Sequence, residues 1–172
     1  LLFLHQRGGD IFELYSNDSL YKTYNSDIVY FFFGSHHFVS KDTIFMHGGY
    51  GYLNLSNFLL YFEDFTKEWQ SYSISENSKI PPVINDQIGF TLNDSYYFFG
   101  GNSLDEKGAR TLTKKNNEIW EFNFNTKKWK KLGDILRNLI FPIHSSFKID
   151  SNLFLLNKQN KLFKIDVVNN TI

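Results

Sequence analysis

Ser95-Tyr-Tyr-Phe-Phe-Gly100-Gly101 is an apolar run closed by two glycines, and Asp42-Thr-Ile-Phe-Met-His-Gly48-Gly49 is a second copy of it. Each copy leads to another apolar stretch and a tryptophan. Glu118-Ile-Trp-Glu-Phe is followed by Trp129, and Asn57-Phe-Leu-Leu-Tyr-Phe by Trp69. Gly48 and Gly100 are 52 positions apart and the two tryptophans 60, so the copies differ chiefly in the insert between their halves. A repeat of this length does not bury its apolar faces alone, and it signals units that stack on one another.

Two weaker copies flank these. Asp10-Ile-Phe-Glu-Leu-Tyr reaches Tyr21 at the distance that separates Glu118 from Trp129, and Lys161-Leu-Phe-Lys-Ile-Asp reaches Ile172 likewise. Leu1-Leu-Phe-Leu-His matches Asn152-Leu-Phe-Leu-Leu without gaps. Four units result, spanning about 1–24, 35–73, 83–132 and 144–172. Gly8 and Gly9 align with Gln159 and Asn160, between two strands, so they read as hairpin residues that supply φ > 0 rather than as a third glycine pair.

A glycine pair after an apolar run, then a second strand and a tryptophan, resembles the kelch repeat, whose period is near 50 residues. The resemblance spans nearly the whole chain and is carried by residues 35 to 132. Units one and four have neither the glycine pair nor the tryptophan. It implies an all-β fold: a β-propeller of four-stranded antiparallel kelch-like blades, with two complete blades and two partial ones. Propellers typically close with 4 to 8 blades. The chain begins Leu1-Leu2 and stops inside an aligned strand at Ile172. The expectation is therefore a truncated propeller, a single domain over 1–172 whose remaining blades belong to the same chain.

Composition agrees with strands. Aromatic residues make up 19% of the chain, with 19 Phe and 10 Tyr, and these suit a pleated, half-buried surface better than a helix. Lys41-Asp42, Asn93-Asp94, Asp150-Ser-Asn152 and Asn125-Thr126 are turn signals between apolar runs. They predict strands near 35–39, 43–48, 57–62 and 68–73 in unit two, and near 87–92, 95–100, 118–124 and 128–132 in unit three.

With 18 basic and 18 acidic residues the net charge is zero, which favours neither nucleic acid nor an acidic membrane surface as a partner. The longest apolar run, Ile28-Val-Tyr-Phe-Phe-Phe33, is too short to span a bilayer, so no membrane insertion is expected. The absence of cysteine excludes internal disulfides and Cys-based metal sites and leaves the compartment open. Asn17, Asn54, Asn93 and Asn169 open Asn-x-Ser/Thr triplets, which a chain rich in Asn and Ser produces by chance.

The repeated residues read as structural. Gly48, Gly49, Gly100 and Gly101 end the second strand of their units, where a missing Cβ lets neighbouring backbones approach. Trp69 and Trp129 cover the sheet and pack against the next unit. His36, His37 and His47 invite a metal reading, but consecutive strand residues point to opposite faces, so His36 and His37 cannot both converge on His47 without a bulge. His144 holds a comparable place in unit four. The favoured reading is structural, with no metal site and no cofactor. Lys127, Lys128, Lys130 and Lys131 flank Trp129 on an outermost strand, where lysines discourage pairing with other chains.

G-x-S-x-G, H-E-x-x-H and phosphate-cradling glycine loops are absent from the sequence, and the acidic pairs Asp105-Glu106 and Glu63-Asp64 fall in expected turns. The copper site of the galactose-oxidase relatives of the kelch family relies on a tyrosine cross-linked to cysteine, which this chain cannot supply. In a four-stranded meander the second-to-third loops and the unit linkers share one rim, here Tyr50 to Ser56, Asn102 to Asn117, Ser73 to Asp86 and Gly133 to Pro142. Long loops on a rigid scaffold concentrate binding residues. Candidate binding residues on that rim are Tyr50, Tyr52, Lys107, Arg110, Lys114 and Lys115, since aromatic and Arg side chains dominate protein interfaces. The insert around Lys107 to Lys115 is equally consistent with a mobile segment. The Pro81-Pro82 linker reads as a rigid spacer.

The expected function is a noncatalytic recognition scaffold for a protein partner, with carbohydrate as a further partner class. Two alternatives stand beside it: part of a carbohydrate-active or oxidase-like enzyme with its site on other blades, and the sensor domain of a larger receptor or regulator. The function rests on the resemblance more than on particular residues.

Overall fold

The computed structural model describes residues 2–4, 11–14, 20–22, 32–51, 54–104, 113–135, 143–150, 152–157 and 162–166. Among these it is all-β: strands and turns without a helix. In chain order the strands are β1 Leu2–Leu4, β2 Ile11–Leu14, β3 Leu20–Lys22, β4 His36–Ser40, β5 Thr43–His47, β6 Tyr50–Gly51, β7 Asn54–Leu55, β8 Leu59–Glu63, β9 Glu68–Ser71 and β10 Ile84–Asn85. They continue with β11 Ile88–Leu92, β12 Ser95–Phe99, β13 Asn102–Leu104, β14 Thr113–Lys115, β15 Glu118–Asn123, β16 Lys128–Asp134, β17 Ile143–Ile149, β18 Asn152–Asn157 and β19 Leu162–Asp166.

Units two and three are antiparallel four-stranded meanders, β4-β5-β8-β9 and β11-β12-β15-β16. Their bounds fall within two residues of the expected strands at every end. Units one and four are three-stranded, β1-β2-β3 and β17-β18-β19. The turns explain the register. Lys41 and Asp42 both take φ > 0 (47° and 61°), as a type I′ two-residue hairpin demands. Lys67 and Lys127, each two residues before its tryptophan, repeat the same left-handed conformation at 57° and 54°.

Alternation then sends each sheet's side chains to two different neighbours. In unit two, Ile44, Met46, Leu60, Phe62 and Trp69 meet Ile11 of unit one, while Phe38, Phe45 and Leu59 meet unit three. In unit three, Tyr96, Phe98, Phe122 and Trp129 face unit two, and Phe99 packs with Leu153 and Leu155 of unit four. Among the described residues, three apolar cores therefore lie between four sheets stacked in sequence order. A sheet covered on both faces needs apolar residues at consecutive positions, which is why β5 and β12 read as unbroken apolar runs. Trp69 and Trp129 both face the preceding unit in the chain, whereas the sequence suggested the following one.

The second-to-third connections are not open loops. Tyr50–Gly51 and Asn54–Leu55 form a hairpin, and Phe33 extends it through reciprocal backbone bonds to Tyr50. Asn102–Leu104 pairs with Thr113–Lys115 and, on its other side, with the linker strand Ile84–Asn85. The linker before that strand lies along the edge of β16, since Ser75 N donates to Lys127 O, Lys79 bridges to Trp129, and Trp129 N donates to Ser78 Oγ. The lysines around Trp129 thus have separate settings and do not guard one bare edge. Lys127 lies 5.6 Å from the Tyr72 ring centroid, Lys131 is ion-paired, and Lys128 and Lys130 are exposed.

The glycine pairs press on one segment of backbone from two sides. A Cβ on Gly48 would lie 2.6 Å from the carbonyl oxygen of Ile84, and one on Gly101 would lie 2.5 Å from that of Asn85. Gly49 N donates to Ile84 O at 2.7 Å. Gly100 differs: its surroundings are open, and its φ of 69° is what calls for glycine. All four glycines take positive φ, and close approach of backbone adds a second demand at Gly48, Gly49 and Gly101 but not at Gly100.

Candidate functional site

A cleft of about 870 Å³ opens on the loop-bearing rim of unit three. Lys114 and Lys115 of β14 form part of its wall, joined by Asn116, Glu118, Lys131 and Asp134. Ser103 and the Pro82-Val83 linker contribute the rest of its character.

Its groups are held by their neighbours. Asn116 is buried, its amide donating to the carbonyls of Gly100 at 3.1 Å and Glu118 at 3.3 Å, while its backbone N–H donates to Gly101 O at 3.1 Å. The glycine pair therefore fixes the corner between β14 and β15. Lys131 donates to Glu118 Oε1 at 2.8 Å and lies 3.0 Å from Asp134 Oδ1, and these bonds raise the Lys131 pKa above its ordinary value. The other Glu118 oxygen accepts from Trp120 Nε1 at 2.8 Å. Lys115 Nζ donates to Asn102 Oδ1 at 2.7 Å, and Asn102 Nδ2 donates to Asp86 Oδ2 at 3.2 Å. Lys131 is balanced by two carboxylates, whereas the Lys115 ammonium bonds to a neutral amide.

The structure brings Lys114 and Lys115 together in this cleft. Tyr50 is on the neighbouring hairpin, 36% exposed beside the half-exposed Phe33. Tyr52, Lys107 and Arg110 lie outside the described residues. Sequence reasoning passed over Glu118, Lys131 and Asp134, although Glu118 and Asp134 are cross-strand partners at the end of a predicted hairpin. The register shifts between Ile119 and Trp120, so counting back from the turn would have set Glu118 opposite Gly133, and the pairing was not readable from the turn alone.

His36 and His47 take up the interior between units two and three. His36 and His47 are cross-strand partners on one face, and His37 turns to the other, 6.3 Å from the Trp69 ring. Tyr96 Oη and His36 Nδ1 are 3.3 Å apart, and Gln87 Nε2 donates to His47 O at 2.7 Å. Burial pushes His47 down to about 3, with His36 adding to the shift. Burial likewise lowers His36 and His37 to about 4. All three are neutral near pH 7. Gly89 makes room for this cluster, since a Cβ there would lie 2.6 Å from the Tyr96 ring and 2.7 Å from His36 Nδ1. Among the described residues no group of three His, Cys, Asp or Glu is placed to hold a metal ion, and no helix is long and apolar enough to cross a membrane.

No family model matches the sequence, and no curated protein does. Among solved structures, the one described as "Structure of YjhT" shares the fold. The TM-score is 0.68 at 12% sequence identity, covering 94% of this chain and 57% of that one. The chain spans a little over half the length of YjhT. At this identity the likeness concerns the fold alone, and it places the four stacked sheets within an architecture seen in a larger chain.

Proposed function

We propose that the four units are blades of a kelch-like β-propeller and that the chain is a noncatalytic recognition scaffold for a protein partner. The propeller reading is supported by sheets that stack face to face in chain order. Further blades would complete the ring. The recognition reading rests on one observation above the others. The rim that carries both inserted hairpins also carries a cleft walled by exposed Lys114 and Lys115 beside a fixed lattice of Asn116, Glu118 and Lys131. Rigid strands hold these groups, so a partner meets a surface whose ordering entropy is largely spent on folding.

A photo-crosslinking residue at Lys115, compared with one at Lys41 in the hairpin on the opposite rim, tests the reading in the organism that makes the protein. A protein adduct formed from Lys115, absent from Lys41 and lost in K114E, supports it. Adducts of equal yield from both positions, or none to protein from either, overturn it.

A further inference from the structure

Asn85, Asn102 and Lys115 stand directly opposite one another across β10, β13 and β14, so their side chains share one face of that sheet. Asp86 is the next residue after β10, and strand alternation would turn it to the other face. Its φ of 54° breaks the alternation. Gly34 makes room for this, since Asp86 N donates to Gly34 O at 2.7 Å and a Cβ on Gly34 would lie 2.6 Å from Asp86 Oδ1. The carboxylate is thereby brought to Asn102, whose Nδ2 donates to Asp86 Oδ2 at 3.2 Å.

At the other end of the same amide, Lys115 Nζ donates to Asn102 Oδ1 at 2.7 Å. The two bonds fix which end of the amide is oxygen, because an ammonium only donates and a carboxylate only accepts. Asn102 therefore stands between an anion and a cation that would otherwise be free to pair. Both Asp86 and Lys115 are exposed, and among the described residues neither is in an ion pair. The Asp86 carboxylate has further lone pairs and the Lys115 ammonium further N–H donors.

A ligand that meets both ends carries an ammonium for Asp86 and a carboxylate for Lys115, with a spacer short enough to lie across one side-chain amide. An α-amino acid has these two groups one carbon apart, and a charge-assisted bond of about 2.8 Å at each end extends its reach to both residues. A ligand of one sign alone is attracted by one end and repelled by the other. We propose that Asp86, Asn102 and Lys115 bind the zwitterionic head of a free α-amino acid, its ammonium on Asp86 and its carboxylate on Lys115. This site is distinct from protein recognition and does not depend on it.

The test titrates the isotope-labelled full chain, followed by NMR, with L-alanine, N-acetyl-L-alanine, L-alaninamide and N-acetyl-L-alaninamide. Alanine is expected to bind about fivefold more tightly than either singly blocked compound, each of which forfeits one exposed ion pair. The difference should shrink as salt is raised. Asp86→Asn, a replacement that tolerates positive φ, should remove the preference over N-acetylalanine and keep the preference over alaninamide. Lys115→Gln should do the reverse. Asn102→Ala should abolish both preferences with both charges in place, because Asp86 and Lys115 are then free to pair with each other. A purely structural role of the three residues would not match each variant to one blocked end. Equal binding of the four compounds, or no saturable shift with alanine, overturns the inference, as does loss of both preferences alike in the two charge variants.

Discussion

The indole of Trp129 lies against the imidazole of His47, with ring centroids 4.9 Å apart, although the two residues belong to different sheets. Trp129 closes unit three, and His47 is the last residue before the glycine pair of unit two. The repeat signature is thus completed between units. Trp129 also meets Phe122 at 4.9 Å and Phe98 at 5.6 Å, so one side chain joins its own sheet to the preceding one.

Trp129→Ala should therefore cost about 3–5 kcal/mol of stability, as truncation of a buried aromatic does. Trp129→Phe should cost distinctly less, because it keeps an aromatic face on His47 and removes an indole N–H that has no partner in the interior. Urea denaturation followed by circular dichroism reads both. Equal losses for the two variants would show that the indole's extra ring, and not its face, carries the contact.

The four glycines should not respond alike. Gly100→Ala should cost about 1–2 kcal/mol, the penalty of holding a side chain in the left-handed region at φ 69°. Gly101→Ala and Gly48→Ala add a collision with backbone at 2.5 Å and 2.6 Å and should be worse than Gly100→Ala. Thermal denaturation of the three single variants gives the order. A Gly100→Ala loss as large as the others would contradict the open surroundings of that residue.

Acid should weaken the protein through its histidines. Their folded values lie below the model-compound value of 6.5, so the unfolded chain takes up protons first and stability falls as pH drops below about 6.5. The loss continues to about 4 for His36 and His37 and to about 3 for His47. Above pH 6.5 these groups contribute no slope. His37→Leu should leave stability at pH 7 unchanged or raised, because the His37 Nε2 is enclosed without a partner, and should flatten the fall between pH 6 and 4. Denaturation midpoints across that range decide it.

Gly89→Ala should disturb the same region from another side, since the added methyl meets Tyr96 and His36 together. Tyr96 is fully buried and stacked on Phe38 at 3.9 Å, which leaves it little room to yield. The variant should lose stability at neutral pH. Pairing it with Tyr96→Phe should recover part of the loss, since the Tyr96 hydroxyl is one of the atoms that the new methyl would meet. No recovery in the double variant would place the strain elsewhere.

The sequence by itself determined the strands of units two and three, their turns and the places of the glycine pairs. These are local properties: alternation, positive φ at Lys41 and Asp42, and the spacing that returns each tryptophan to the same position. It also brought out Lys114 and Lys115, because an insert between matched strands marks a rim. Only the tertiary structure decided which faces meet, because the apolar runs of β5 and β12 are equally apolar on both sides and contain no record of their neighbours. It decided that Trp129 covers His47, that Gln87 reaches His47 across a unit boundary, and that Gly100 and Gly101 serve different ends. It also placed β13 and β14 in the insert, since strands of three residues are too short to announce themselves and β13 is held by pairing with β10 from a distant linker as well as with β14. Lys131, Glu118 and Asp134 joined the candidate site for the same reason: a cleft is a property of surfaces brought together, and periodicity along one strand does not specify its partner across a gap.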